Sequence, residues 1–307
     1  MTQLAEKLVW IAADWGSSHL RLWMMTGNGD VLHRLSADYD LDDLAPDQFE
    51  PTLIDLVAGF LPQGRVIPVI ACGMAGSKQG WAEAPCAATP SEPPSAESAI
   101  RVDTKDQRLD VYILPGMKQN SPADLMRGQE TQIAGFLAAN PKFDGVLCLS
   151  GPHTRWAHIS AGEVVSFRTF MTGELVALLA NQSLLRHTTV SSAWDADAFA
   201  TAVEDAMSNP AILASKLFSI HAEASLFDQS NAIGRAKLSG LLIGAELAAA
   251  RPYWLGQEVV IIGENDLLTA YQTALEPLGM PVKTASAETM TLAGLSAAYI
   301  ALGRDKQ

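Results

Sequence analysis

The chain has 307 residues, 48% of them hydrophobic, with 34 acidic against 21 basic side chains and a formal net charge of −13. That length exceeds what one core usually holds and predicts two domains. The acidity, with no Lys/Arg cluster anywhere, excludes a nucleic-acid binder, which would carry a basic face. Cys72, Cys86 and Cys148 are odd in number, scattered and without metal-ligand spacing, so reduced cytosolic thiols are expected. The N-terminal MTQLAEKLVW has no long apolar signal region. The most apolar later run, LSGLLIGAELAAA, is too short to span a bilayer and contains Glu246, so neither export nor membrane insertion is expected.

From Lys7 the continuously apolar run through Ala13 predicts a buried strand ending at Asp14. Leu20, Leu22 and Met24 alternate with Arg21 and Trp23, a second strand with two distinct faces. Gly27-Asn28-Gly29-Asp30 supplies a tight hairpin, and residues 31–35 return as a third strand. Phe49, Leu53, Leu56, Val57 and Phe60 share one helical face, and a further strand at 65–71 enters the glycine-rich CGMAGSKQGW. The Pro/Ser/Ala-rich stretch 84–99 reads as an extended loop open to disorder. Two short strands lie around IRVDT and RLDVYILPG. A helix is then predicted from Ser121 as N-cap through Pro122, with Leu125, Ile133, Phe136 and Leu137 as its apolar stripe, leading to the second domain. That domain opens at FDGVLCLSG with three more strands. Helices follow at GELVALLANQSLL, from Asp195 to Met207, and at NAIGRAKLSGLLIGAELAAA; a strand ends at Gly263, and two helical segments flank PVKTAS.

One strand-turn-strand pattern therefore occurs twice, from Val9 to Leu35 and from Val146 to Phe167, about 135 residues apart. Each copy is an apolar strand, a polar Gly-containing turn, a second strand, a Gly turn and a third strand. Two such turns facing each other across a cleft would offer N–H groups and hydroxyls to a polyphosphate from both sides, the layout of an ATP-dependent phosphotransferase. In the first turn Asp14 can hold Mg²⁺ through water, Gly16 lets backbone approach phosphate, Ser17 and Ser18 can donate to its oxygens, and Arg21 can stabilise transferring charge. The plainer reading is an ordinary hairpin with Asp14 capping its turn. The second turn offers Gly151, His153 and Thr154. His19 and His153 lack partners at zinc spacing.

The paired turns resemble the two phosphate loops of the actin and hexokinase superfamily, and VVIIGENDLL, with Gly263 at its turn, resembles that superfamily's adenosine loop. Within it, IAADWGSSHLRLW, ACGMAGSKQGWAEAP, ADLMRGQETQ, LSGPHTRW, FMTGELVALL and LSGLLIGAE are similar, nearly end to end, to the 2-dehydro-3-deoxygalactonokinases. Ser150 and Pro152 depart from that family's usual PGTHSKW, removing one hydroxyl and one backbone donor. The resemblance implies an α/β fold of two duplicated actin-like (ribonuclease H-like) domains with a nucleotide cleft between them. Residues 1–122, joined by 290–307, form the first domain; 123–142 is an interdomain helix, and 143–289 form the second. ATP and Mg²⁺ are the implied cofactors, and a cytoplasmic enzyme, compatible with a homodimer, the implied setting.

The implied reaction is phosphorylation of the 6-hydroxyl of 2-dehydro-3-deoxy-D-galactonate. Glu130 is one candidate base and Asp124 its competitor, six residues apart and so on different sides of a shared helix. Glu130 also reads as a first-turn acid favoured by the helix dipole. The loop with Gly73, Ser77, Lys78, Gln79 and Trp81 follows a strand end, where ligands of open α/β sheets collect; Lys78 or Arg127 could pair with the sugar acid's carboxylate. Thr172 and Glu174 are substrate candidates or simply a helix start. Gly244 and Glu246 resemble a ribose-approaching segment, yet Gly240 and Gly244 also suit close helix packing. Two other readings stand beside the kinase: a phosphohydrolase of the exopolyphosphatase type, against which the GMAGSKQGW block argues, and a non-catalytic sugar sensor, for which no helix-turn-helix or basic extension is present.

Overall fold

The computed structural model describes residues 2–39 and 44–303. The chain divides into two compact units, one comprising Met1–Phe143, Ser160–Ser166 and Ala287–Gln307, the other Asp144–Ile159 and Phe167–Ser286.

The first unit runs α1 (Thr2–Lys7), β1 (Trp10–Trp15), β2 (His19–Met25), β3 (Val31–Asp38), α2 (Phe49–Val57), β4 (Ile67–Gly73), β5 (Ala87–Ala88), β6 (Ile100–Val102), β7 (Leu109–Ile113), β8 (Met117–Asn120), β9 (Ala123–Met126) and α3 (Gln129–Ala139). The first strand starts two residues later than its apolar run, which begins at Leu8, because Leu8 N–H still closes a helical turn on Leu4 O at 3.0 Å. A six-stranded sheet has the order β3-β2-β1-β4-β7-β6. Its centre, β1-β4-β7, is parallel. Strands buried on both faces read as unbroken apolar runs, which is what VWIAA and VIPVIA are. Odd-numbered residues of β1 (Ile11, Ala13, Trp15) pack with Phe49, Leu53 and Val57 of α2. Even-numbered Trp10 and Ala12 pack with Trp23, Ile70 and Cys72 on the opposite face, against Leu295, Ala298 and Tyr299.

Two expectations for this unit are corrected. No helix begins at Ser121: β8 and β9 form an antiparallel hairpin pairing Met117 with Met126 and Gln119 with Asp124. Burial there alternates with period two, and Leu125, assigned above to a helical stripe, is 50% exposed. Helix begins only after Gly128, whose φ of 98° ends the strand. Asp124 and Glu130 therefore lie on a strand and a helix, not on different sides of one helix. Nor is the stretch 84–99 left without partners: Ala87 N–H donates to Gly116 O at 3.0 Å, Thr89 N–H to Lys118 O at 2.9 Å, and Val164 N–H to Ser91 O at 2.8 Å. Backbone pairing of this kind is blind to side-chain type, so composition does not reveal it.

The second unit runs β10 (Gly145–Leu149), β11 (Thr154–Ser160), β12 (Glu163–Phe170), α4 (Thr172–Gln182), α5 (Ala196–Ser208), α6 (Leu213–Phe227), α7 (Asn231–Ala249), α8 (Arg251–Trp254), β13 (Val259–Gly263), α9 (Asn265–Leu275) and β14 (Val282–Ser286). Its sheet order, β12-β11-β10-β13-β14, repeats that of the first five strands of the other sheet, down to the antiparallel first three and parallel remainder. Asp195 caps α5, its Oδ1 accepting Ala198 N–H at 2.8 Å. Three elements were not foreseen: α6, the short α8, and β14 within PVKTAS, whose exposed and half-buried side chains give a weak apolar signal. The last helix, α10 (Ala287–Ala301), belongs to the first unit and packs on α3. It starts before 290 and ends at Ala301; of the closing segment expected to run to 307, residues 304–307 lie outside those described. Among the described residues no helix is long and apolar enough to cross a membrane.

Candidate active site

In the first unit, sheet register assembles a row of side chains. Asp14, the penultimate residue of β1, is paired with Arg21 of β2 on one side and with Cys72 of β4 on the other. Cross-strand partners project to the same face, so the three meet. Arg21 Nη1 lies 3.7 Å from Asp14 Oδ2, and Cys72 Sγ donates to Asp14 Oδ1 at 3.7 Å. Burial raises the Asp14 carboxyl above its ordinary value, against the lowering pull of Arg21 and His19. Burial likewise pushes the Cys72 thiol well up, reinforced by the negative charges of Asp14 and Glu130. Cys72 is thus an inert donor to Asp14 rather than a nucleophile. Glu130, in the first turn of α3, is 1% exposed; its Oε1 accepts Gly128 N–H at 2.8 Å. Asp124 stands apart on β9, its Oδ1 accepting Leu125 N–H at 2.8 Å.

The turn between β1 and β2 is held from its base. Gly16 N–H donates to His19 O at 2.9 Å, Tyr39 OH donates to Gly16 O at 2.7 Å, and Ser17 and Ser18 are left exposed at the tip. Burial, ahead of Arg21, lowers the His19 imidazole. Gly73, closing β4, has φ 85°, and a Cβ there would come 2.3 Å from Trp15 O, so only glycine fits. Beyond it the loop residues separate. Lys78 and Gln79 are exposed and Ser77 is buried. Trp81 is half-buried: it packs edge-on to Trp15 at 6.1 Å and stacks near Phe49 at 6.4 Å, a core role. Arg127 Nη2 donates to Ala84 O at 3.0 Å, tying the loop to β9.

In the second unit, Gly151 lies in the turn between β10 and β11, and the start of α4 packs on that turn. Glu174 N–H donates to Pro152 O at 2.9 Å, His153 Nε2 lies 2.5 Å from Glu174 Oε2, and a Cβ on Gly173 would come 2.5 Å from Gly151 O. Thr154 and Thr172 are buried and partnered. Thr154 Oγ1 lies 2.8 Å from Tyr271 OH, and Thr172 Oγ1 donates to Glu246 Oε2. Glu246, 3% exposed, also accepts Trp156 Nε1–H on Oε1 and Tyr271 O–H on Oε2, both at 2.7 Å. Its side chain is committed to this internal cluster rather than offered to a ribose. Gly244 is a packing residue, where a Cβ would come 2.5 Å from Val203 O of α5. Gly263 ends β13 against Ser150, whose N–H donates to Ile262 O at 2.8 Å; the neighbouring Glu264 accepts Ser286 Oγ–H at 2.7 Å.

Sequence reasoning missed four participants. Tyr39 and Tyr271 reach the turns from outside the motifs, and Cys72, though it opens the CGMAGSKQGW block, reaches Asp14 only through strand pairing that no local spacing marks. Glu288, in the first turn of α10, adds a negative charge beside Asp14 while pairing with Arg34 at 2.7 Å. Among the described residues no group of three or more His, Cys, Asp or Glu could cage a metal. A single carboxylate suits Mg²⁺ arriving with a nucleotide, since that ion keeps waters and phosphate oxygens as its other ligands.

A family model described as 2-keto-3-deoxy-galactonokinase matches residues 14–298. The chain is 37% identical, over 95% of its length and 96% of the relative's, to a protein of Rhizobium meliloti (strain 1021) named "Probable 2-dehydro-3-deoxygalactonokinase". It is 32% identical, over 93% and 96% of the two lengths, to the 2-dehydro-3-deoxygalactonokinase of Escherichia coli (strain K12). A Sinorhizobium meliloti protein whose crystal structure carries the same kinase assignment superimposes with a TM-score of 0.88 at 36% identity, covering 95% of this chain and 99% of that one. With both turns, the Asp14 row and Glu130 all inside the matched span, the chain belongs to the 2-keto-3-deoxy-galactonokinase family.

Proposed function

We propose that the protein transfers the γ-phosphoryl group of ATP to the 6-hydroxyl of 2-dehydro-3-deoxy-D-galactonate. The observation that carries this reading is the row of Asp14, Arg21 and Cys72 at the end of the first sheet, with the buried Glu130 near enough for its charge to act on the Cys72 thiol. Phosphoryl transfer asks little covalent chemistry of a protein and much positioning and charge stabilisation. Asp14 is the residue to hold Mg²⁺, which when bound neutralises charge developing between the phosphates. Arg21, held by Asp14, is a cation for the transferring group. Gly151 and His153 in the second unit, and Gly16, Ser17 and Ser18 in the first, line turns suited to phosphate oxygens. Glu130 is assigned as the base for the sugar hydroxyl, because it is buried at the start of α3 with its charge acting on Cys72, whereas Asp124 bonds the backbone of β9. Ser77, Lys78, Gln79 and Arg127 are assigned to the sugar acid, with a cation for its carboxylate. We place the reaction in the cytoplasm, whose thiol buffer keeps Cys72, Cys86 and Cys148 reduced.

The test is to incubate the protein with ATP, Mg²⁺ and a panel of 2-keto-3-deoxy sugar acids, following ADP and locating the phosphate on the product. Sugar-dependent ADP and a 6-phosphate are expected. Sugar-independent phosphate release would mean a hydrolase, and sugar binding without turnover a sensor.

A further inference from the structure

Glu246 is a carboxylate enclosed in the second unit, 3% exposed, with three side-chain donors on its two oxygens. Among the described residues no Lys, Arg or His pairs with it. Enclosing a charge without a cation is costly, and an apolar side chain of similar size would serve stability better. What the carboxylate does provide is geometry. Trp156 and Thr154 lie on β11, immediately after the Gly151 turn; Thr172 opens α4, whose next residues press on that turn; Tyr271 comes from α9. Tyr271 OH joins Thr154 Oγ1 at 2.8 Å and Glu246 at 2.7 Å, so the strand that leaves the turn and the helix that backs it converge on one group. From α4 the contact continues through Glu174 N–H to Pro152 O at 2.9 Å and through Gly173 on Gly151.

We propose that Glu246 is a positioning residue for the Gly151 turn, fixing that turn against α4 through Thr172 and against β11 through Trp156, Tyr271 and Thr154, and so setting affinity for a nucleoside triphosphate. This rests on the reading that the turn holds nucleotide phosphates. It also gives the turn a support that Pro152, lacking an N–H, does not supply itself.

The test measures ATP affinity directly by calorimetry, alongside KM for ATP and KM for the sugar acid, in Glu246→Ala, Thr172→Val and Tyr271→Phe. Loss of a hydrogen bond to a buried charge predicts an ATP affinity about tenfold weaker or more for Glu246→Ala, and several-fold weaker for the other two. KM for the sugar should stay within about twofold, at temperatures well below each variant's Tm. A purely structural role would lower Tm and leave the ATP constants alone, and that result overturns the proposal. If Glu246→Ala fails to fold, Thr172→Val and Tyr271→Phe decide the matter. If the wild type phosphorylates no sugar acid, the kinase reading falls by itself, and calorimetric ATP binding to the variants still judges the role of Glu246. Glu246→Gln, which keeps shape and an acceptor oxygen, should restore most of the affinity that Glu246→Ala loses.

Discussion

Asp14 owes its surroundings to strand register: one residue either way along β1 would turn its carboxylate to the α2 face, among Phe49 and Trp81. Asp14→Asn should therefore keep the fold and sugar binding while lowering turnover on the order of 10²-fold or more, as measured by steady-state kinetics at saturating Mg²⁺. Glu130→Gln should lower turnover about 10²–10⁴-fold. Asp124→Asn should lower it much less, and because Asp124 is on a strand rather than at a helix cap, Tm should barely move. A larger kinetic loss in the Asp124 variant would reverse the assignment. Glu246 carries a separate signature. Burial pushes its carboxyl from an ordinary 4.5 to about 7, outweighing the hydrogen bonds that pull it down. The folded protein thus holds this proton more tightly than the unfolded chain. The resulting stabilisation is full below pH 4.5 and disappears as pH rises through 7. Relative to Glu246→Gln, the wild type should lose on the order of 3 kcal/mol of unfolding free energy between pH 4.5 and 8 in denaturant titrations.

At the level of elements, the legible parts of the chain were those where hydrophobic pattern and turn chemistry agree. Residues 10–13, Ile67–Gly73 and Val259–Gly263 are apolar throughout because both faces are covered, and Gly29 and Gly162 sit at positive φ in their hairpins. The segment 121–128 misled because Ser-Pro followed by Asp is a good helix start, whereas the pairing of Met126 with Met117 is a tertiary choice that propensity does not record. For the candidate site, the turns carrying Asp14 and Gly151 were readable because glycine and small polar residues interrupt apolar runs. Tyr39, Cys72, Tyr271 and Glu288 were not, since each arrives by pairing or packing across the fold. Glu246 could be seen as an acid inside an apolar helix, but not that Trp156, Thr172 and Tyr271 would enclose it. Gly73 shows what a single backbone position can demand. Gly73→Ala must force φ 85° on an alanine and drive its Cβ toward Trp15 O, so a loss of about 1–3 kcal/mol, and more if the strand end shifts, should appear in thermal denaturation.

For the whole molecule, the repeated sheet order is the deepest regularity, and the differences lie in what covers the sheets. One face of the first sheet is closed by α10: Tyr299 stacks on Trp10 at 4.5 Å, and Leu295 and Ala298 cover Trp23 and Ile70. Ending the chain after Ser286 would uncover this face, at roughly 1.5–3 kcal/mol for each large side chain re-exposed. The truncated protein should lose cooperative unfolding of the first unit and become sensitive to limited proteolysis within residues 1–143, while β10–β14 remain protected. Full protection of both units would show α10 to be dispensable.

That arrangement imposes a timetable on synthesis. At about 5–20 residues per second, the interval between completing Ala139 of α3 and beginning Ala287 of α10 is roughly 7 to 30 seconds. Throughout it, Trp10, Trp23 and Ile70 wait without their cover, whereas every strand of the second sheet is made before α10 begins. The first unit is therefore the part of this chain most exposed to misassociation while the second unit is being made.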